Sequence, residues 1–129
     1  MRLWHYKLIP YLPNKQLVSQ WRELNAIFKS QIRFILTDYV YEYPKEDLCL
    51  YSDMVLYEMK KRGFKANTTN MDKYFPLPLS PECEVPFKNH HTDRYLKQCF
   101  YNLQEKYDRG QKDFSKEIYE KLEEFIITL

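Results

Sequence analysis

Apolar residues recur at helical spacing over most of the chain. Leu17, Trp21, Leu24 and Phe28 stand at i, i+4, i+7 and i+11, the stripe of an amphipathic helix. Asn14 follows Pro13 and is placed to accept from the free amides of a helix start, so the pattern predicts a helix over about 14–30. Pro44 precedes Lys45-Glu46-Asp47, with carboxylates where the helix macrodipole favours them. The next helix should run from about 45 to Arg62, with cations in its last turn and a stop at Gly63. Leu96, Cys99/Phe100, Leu103 and Tyr107 mark a third helix over about 91–108, capped by Thr92 or Asn89 and ended by Arg109-Gly110. Phe114, Ile118, Leu122 and Phe125/Ile126 mark a fourth over about 113–127.

Three stretches break this pattern. Residues 1–13 (MRLWHYKLIPYLP) are aromatic, basic and twice interrupted by proline, which predicts an ordered but irregular arm. Residues 33–43 (RFILTDYVYEY) are rich in β-branched and aromatic types and read as a short strand or an extended link. Residues 64–88 hold four prolines and make a long connection, unusual unless functional or packed down. The expectation is one all-α domain spanning 1–129, of about four helices with a long proline-containing connection.

Composition agrees. With 44% hydrophobic and 17% aromatic residues in 129, the chain can build a dense core, which excludes a disordered tail. Two glycines against seven prolines suit helices and rigid connectors. No apolar run approaches the roughly 20 residues of a membrane span, and residues 1–13 lack the features of a signal peptide. A soluble, cytoplasmic protein without a membrane partner is expected. Cys49, Cys83 and Cys99 are odd in number and far apart, so reduced thiols in or near the core are expected rather than a disulfide framework or zinc ribbon.

Charge changes the picture more. The net charge is only +2, but residues 1–37 carry six cations (Arg2, Lys7, Lys15, Arg22, Lys29, Arg33) against Glu23 alone. That third is therefore +5 and the remainder −3. A basic face of this kind collects phosphates by counterion release. Glu23 lies on α-helical geometry some 120° from the centre of the apolar stripe, beside Gln16, Ser19 and Gln20. It is either a solvated surface carboxylate or a catalytic one. An α-amine, with a pKa near 7.7–8.0 against roughly 10.4 for lysine, is the better nucleophile at neutral pH, which makes the Met1 amine a second candidate. Around it, Arg2 offers a phosphate-binding cation, and Trp4 and His5 offer rings for stacking on bases or packing on the core. In the cluster 89–94, adjacent His90 and His91 point about 100° apart on a helix and cannot easily share an ion, so a pocket wall or a core role for His91 is expected and no metal or cofactor. The chain has no P-loop, dinucleotide-binding glycines, HExxH or nucleophile elbow.

Several segments resemble the pyrimidine-dimer DNA glycosylase (endonuclease V) family. Leu17-Val18-Ser19-Gln20-Trp21-Arg22-Glu23-Leu24 is similar to its first-helix motif. Tyr43-Pro44-Lys45-Glu46-Asp47-Leu48 with Lys61-Arg62-Gly63-Phe64 is similar to its second helix, and Leu103-Gln104-Glu105-Lys106 to a further segment. Met1-Arg2-Leu3-Trp4-His5 and the His90-His91 pair look like a bacterial branch of that family. The resemblance implies a DNA glycosylase/AP lyase acting as a monomer on damaged double-stranded DNA. An N-terminal amine, here that of Met1, would attack the sugar C1′, and the matching Glu23 would assist base loss and strand nicking. DNA contacts would come from Arg2, His5, Lys15, Gln16, Arg22 and Lys106, with Trp4 and His91 lining a pocket. The chain departs from the family pattern in four places. Arg2 disfavours removal of Met1, Gln16 replaces a histidine, and Ala26 replaces an arginine. The acidic Glu117–Glu124 helix stands where the family has an aromatic, basic tail. A non-catalytic nucleic-acid-binding module, or a small-molecule enzyme with a pocket of His5, Glu23 and His91, stays open on the residues alone.

Overall fold

The computed structural model describes residues 2–31, 33–76 and 84–129. Among these the chain is all-helical, without a β-strand: α1 (Asn14–Ser30), α2 (Lys45–Lys61), α3 (Thr69–Tyr74), α4 (Asp93–Asp108) and α5 (Lys116–Ile127). Two 3-10 helices, Tyr6–Tyr11 in the arm and Asp38–Glu42 before α2, complete it. The arm is the centre of the molecule. Its 3-10 helix packs on α2, α4 and α5, and Leu3, Leu8, Ile9 and Leu12 are almost wholly buried. α1 lies against α2 and α3.

The predicted α1 stripe is fully inside, with Leu17, Trp21, Leu24 and Phe28 all buried. Asn14 does not cap the helix: it is its first residue, and its Oδ1 accepts from Arg62 Nη1 at 3.0 Å. Arg62 also donates to the carbonyls of Leu12 (2.6 Å) and Pro10 (3.1 Å) while its Nε meets Glu58 at 3.0 Å. The last-turn cation is thus a bolt between α2 and the arm. Gly63 and Gly110, at φ +84° and +82°, take the left-handed backbone that ends α2 and α4, as their sequence positions predict. There the amides of Phe64 and Gln111 close on the carbonyls of Met59 and Lys106.

Four expectations are corrected. Residues 33–43 form turns and the 3-10 helix rather than a strand, because Thr37 and Asp38 donate back to the Phe34 carbonyl instead of across to a partner. α4 begins at Asp93 rather than near residue 91, behind the expected Thr92 cap, whose Oγ1 accepts from the Tyr95 amide. α5 begins at Lys116 behind the Ser115 cap, which moves Phe114 out of the helix. Tyr119, stacked 4.1 Å from Tyr107, then takes the inward place expected for Ile118, which faces solvent. The proline-rich connection also contains the six-residue α3, anchored by buried Met71. Cys49 and Cys99 are free and buried; Cys83 lies outside the described residues.

Candidate functional site

Glu23 sits where the arm crosses α1, and Gln20 organises the crossing. One turn before Glu23 on the same helix face, Gln20 is completely buried, and its carbonyl oxygen accepts from the Trp4 amide (2.8 Å) and the Tyr51 hydroxyl (2.9 Å). Its Nε2 donates both to the Arg2 carbonyl (3.1 Å) and to Glu23 Oε2 (2.9 Å). Two oxygens accepting from one nitrogen can lie no farther apart than those bonds laid end to end, so the Arg2 carbonyl is held close to the carboxylate. Glu23 is half-buried, and burial pushes its pKa above the usual carboxylate value against the opposing Gln20 hydrogen bond. Among the described residues its second oxygen takes no hydrogen bond. Arg2 is partly exposed, with its guanidinium 5.9 Å from the Trp4 ring, and Arg22 points to solvent.

Beneath the arm lies a buried polar layer. His5 Nδ1 accepts from the Lys7 amide (3.2 Å), so the ring must carry its proton on Nε2, which donates to the His91 carbonyl (2.9 Å). His91 repeats the logic: Nδ1 accepts from the Tyr6 amide (3.2 Å), leaving Nε2–H for the Tyr39 hydroxyl (2.8 Å). Each histidine caps backbone with its lone pair and is neutral. Burial accordingly lowers His5 to about 4 and His91 to about 3. Tyr51, fully buried, shares its one hydroxyl proton between the Trp4 carbonyl (2.6 Å) and Gln20 Oε1 (2.9 Å), and Tyr95 donates to the carbonyl of Leu3. Burial raises the pKa of Tyr39, Tyr51 and Tyr95, which keeps all three phenols protonated.

The position of His91 is set from α2. Phe87 is fully buried at φ +56°, a backbone that a phenylalanine rarely adopts, and its amide donates to Asp47 Oδ2 at 2.9 Å. From there its carbonyl receives the amides of His90 and His91, which turns the His91 ring under the arm. Asp47, expected to serve the helix dipole, therefore holds the loop that carries His91.

A second polar region lies at the start of α1. Gln16 and Gln111 exchange two amide hydrogen bonds (3.0 and 2.7 Å), and Asp113 accepts from the Lys15 amide (2.7 Å) and from Gln111 (2.7 Å). These bonds fix the 110–113 turn beside α1 and form an open surface hollow whose rim carries Lys15, Lys106, Arg109 and Lys112. Arg109 pairs with Glu105 at 3.0 Å; Lys15, Lys106 and Lys112 make no ion pair among the described residues. Gln16, Gln20 and Glu23 follow one another at i, i+4 and i+7, so the hollow and the carboxylate share one side of α1.

The sequence-predicted residues thus fall into groups. Arg2 and Glu23 meet at the crossing, joined through Gln20, while Lys15, Gln16 and Lys106 meet at the hollow. Trp4, His5 and His91 are buried, and both ring nitrogens of each histidine are spent inside the fold. Met1 lies outside the described residues. Gln20, Tyr51, Arg109 and Lys112 were not singled out from sequence. The signal for Gln20 was a glutamine between two stripe residues with no polar reason to be there. No group of three His, Cys, Asp or Glu among the described residues is arranged to hold a metal ion, and no described helix is long and apolar enough to cross a membrane. Comparison with known proteins gives one result. The family model described as pyrimidine dimer DNA glycosylase matches residues 1–72, more than half of the 129. No curated protein and no solved structure matches the chain significantly.

Proposed function

The chain belongs to the pyrimidine dimer DNA glycosylase family, and from that premise we propose that it is a glycosylase/AP lyase working on damaged duplex DNA at the crossing of the arm and α1. The observation that carries this reading is the Gln20 amide shared between the Arg2 carbonyl and the Glu23 carboxylate, which joins the first residues of the chain to the only acid of the basic third.

In this mechanism the Met1 α-amine is the nucleophile. Its nitrogen attacks the sugar C1′, the glycosidic bond breaks and the base leaves with a proton; opening of the sugar ring then gives an imine. Removal of a C2′ proton and departure of the 3′ phosphate nick the strand. The Glu23 carboxylate, half-withdrawn from water, stabilises positive charge developing at C1′ and then takes a proton. Arg2, Arg22, Lys15 and Lys106 hold backbone phosphates, joined by Arg109 and Lys112 on the same rim. Gln16 fixes the hollow through Gln111. His5, His91 and Trp4 shape the floor under the arm rather than touch DNA.

Nicking of a duplex carrying one pyrimidine dimer or one abasic site tests the reading. Glu23→Gln should lower the rate by about 100-fold or more while binding is kept, the scale of a lost acid/base group. Salt-dependent binding without nicking by the unaltered protein would replace the enzyme with a non-catalytic binding module.

A further inference from the structure

A fully buried amide is tolerated when each of its polar atoms is paired, and Gln20 pairs both of its own. Its orientation follows from one contact. The Trp4 amide can only donate, so Gln20 Oε1 must face it at 2.8 Å, and the Tyr51 hydroxyl meets the same oxygen at 2.9 Å. The nitrogen is thereby turned the other way, and its two hydrogens go to the Arg2 carbonyl (3.1 Å) and to Glu23 Oε2 (2.9 Å). A reversed amide would set an oxygen against a carbonyl and a carboxylate, and an N–H against an N–H. The contact with Glu23 therefore has one arrangement, fixed from the arm.

The consequence falls on the two carboxylate oxygens. Gln20 Nε2 only donates, so Oε2 must accept from it, and a proton placed on Oε2 would make it a far weaker acceptor. Oε1 takes no hydrogen bond among the described residues. One oxygen is thus tied and the other is left free to receive a proton. The same bond favours the ionised carboxylate, because a hydrogen bond donated to a charged group stabilises its charge. Burial pushes Glu23 above the usual carboxylate value, and the Gln20 bond opposes that rise.

We propose that Gln20 is a positioning residue for proton transfer at Glu23, holding Oε2 as a fixed acceptor and leaving Oε1 as the oxygen that takes the proton from the sugar. The inference rests on the glycosylase/AP lyase reading above. As the C2′ proton passes to Oε1, the electron pair of that C–H bond becomes the C2′–C3′ double bond. The C3′–O bond then breaks, and its pair leaves with the phosphate. Gln20 touches none of the reacting atoms; it acts through Glu23.

Carboxyl-carbon NMR of the full chain, with the Glu23 signal assigned by its loss in Glu23→Gln, tests this without DNA. In the unaltered protein a Gln20 side-chain N–H resonance should move through the same midpoint as the Glu23 carboxyl. Gln20→Met removes both donors, and Gln20→Glu keeps an acceptor for the Trp4 amide but puts a second acid beside Glu23. In either, the Glu23 midpoint should rise by about one pH unit. A base is lost as the pH falls through its pKa, so the acid limb of nicking on an abasic duplex should move to higher pH by the same amount. Tyr51→Phe removes a bond from the same buried amide but leaves both Nε2 donors, and should give less than about a third of that shift. A Gln20 resonance indifferent to the Glu23 titration would overturn the proposal, as would an unmoved midpoint in a folded Gln20 variant. An equal shift in Tyr51→Phe would also overturn it, because general loosening of the layer would then suffice. A displaced Glu23 midpoint in a protein that nicks no abasic duplex at any pH would sustain the hold of Gln20 on Glu23 and sink the enzymatic reading instead.

Discussion

The protein handles polarity in opposite ways at two places along one side of α1. Under the arm, Gln20, His5, His91, Tyr39, Tyr51 and Tyr95 are spent on one another and on backbone, and no buried polar side-chain atom among the described residues lacks a partner. At the hollow, Lys15, Lys106 and Lys112 carry charge with no ion-pair partner among the described residues. A satisfied, neutral, buried network fixes geometry but offers nothing to a ligand; unpaired cations at the surface do the reverse. Glu23 belongs to both, positioned by the first region and on the same side of α1 as the second. Mutations should therefore separate into those that cost stability and those that cost DNA affinity.

The largest effect should come from Gln20→Leu. It removes the Gln20 bonds to the Arg2 carbonyl and the Trp4 amide and leaves that buried amide without its partner, costing about 3 kcal/mol in urea unfolding. Lys15→Ala, Lys106→Ala and Lys112→Ala combined should change stability by only about 0.5 kcal/mol per site. Their signature is in DNA binding, where the slope of log affinity against log salt should fall by about 0.9 for each phosphate no longer neutralised. A triple variant that unfolds, or Gln20→Leu that does not, would break the distinction.

The histidines sharpen it through pH. Unfolded, each binds its proton near 6.5; folded, burial holds His5 to about 4 and His91 to about 3. The unfolded state thus takes up protons that the native core refuses, so the contribution is complete above pH 6.5 and declines as the pH falls below it. Between pH 6 and 5 the slope should approach about 1.4 kcal/mol per pH unit for each histidine. His91→Gln should flatten the profile even where it lowers the overall stability. A smaller effect, about 1 kcal/mol, is expected for Gln16→Ala, which unties the 110–113 turn from α1 and should shift DNA affinity more than folding.

The periodic parts of the fold were legible before the structure was known. α1 and α4 follow their apolar stripes, α2 follows its start and stop signals, and both glycines end helices where they should. What resisted reading was non-local. The prolines of the arm hid the fact that Leu8, Ile9 and Leu12 form the middle of the core. α3 is too short to show a period. His5 and His91 looked like site residues because their partners, the amides of Lys7 and Tyr6, are invisible to a residue pattern. Glu23 lies off the stripe, as its helical angle requires, and its partial burial comes from an arm sixteen and more residues away in sequence. The family match over residues 1–72 takes in that same arm and helix.

Borohydride trapping on an abasic duplex, followed by peptide mapping of the adduct, bears on the proposed chemistry without any intermediate assumption. One covalent product is expected, joined at the α-amine of Met1, strongly reduced in Glu23→Gln and absent when the amine is blocked. An adduct on a lysine side chain, or none from a folded protein that binds the duplex, would contradict the proposed mechanism.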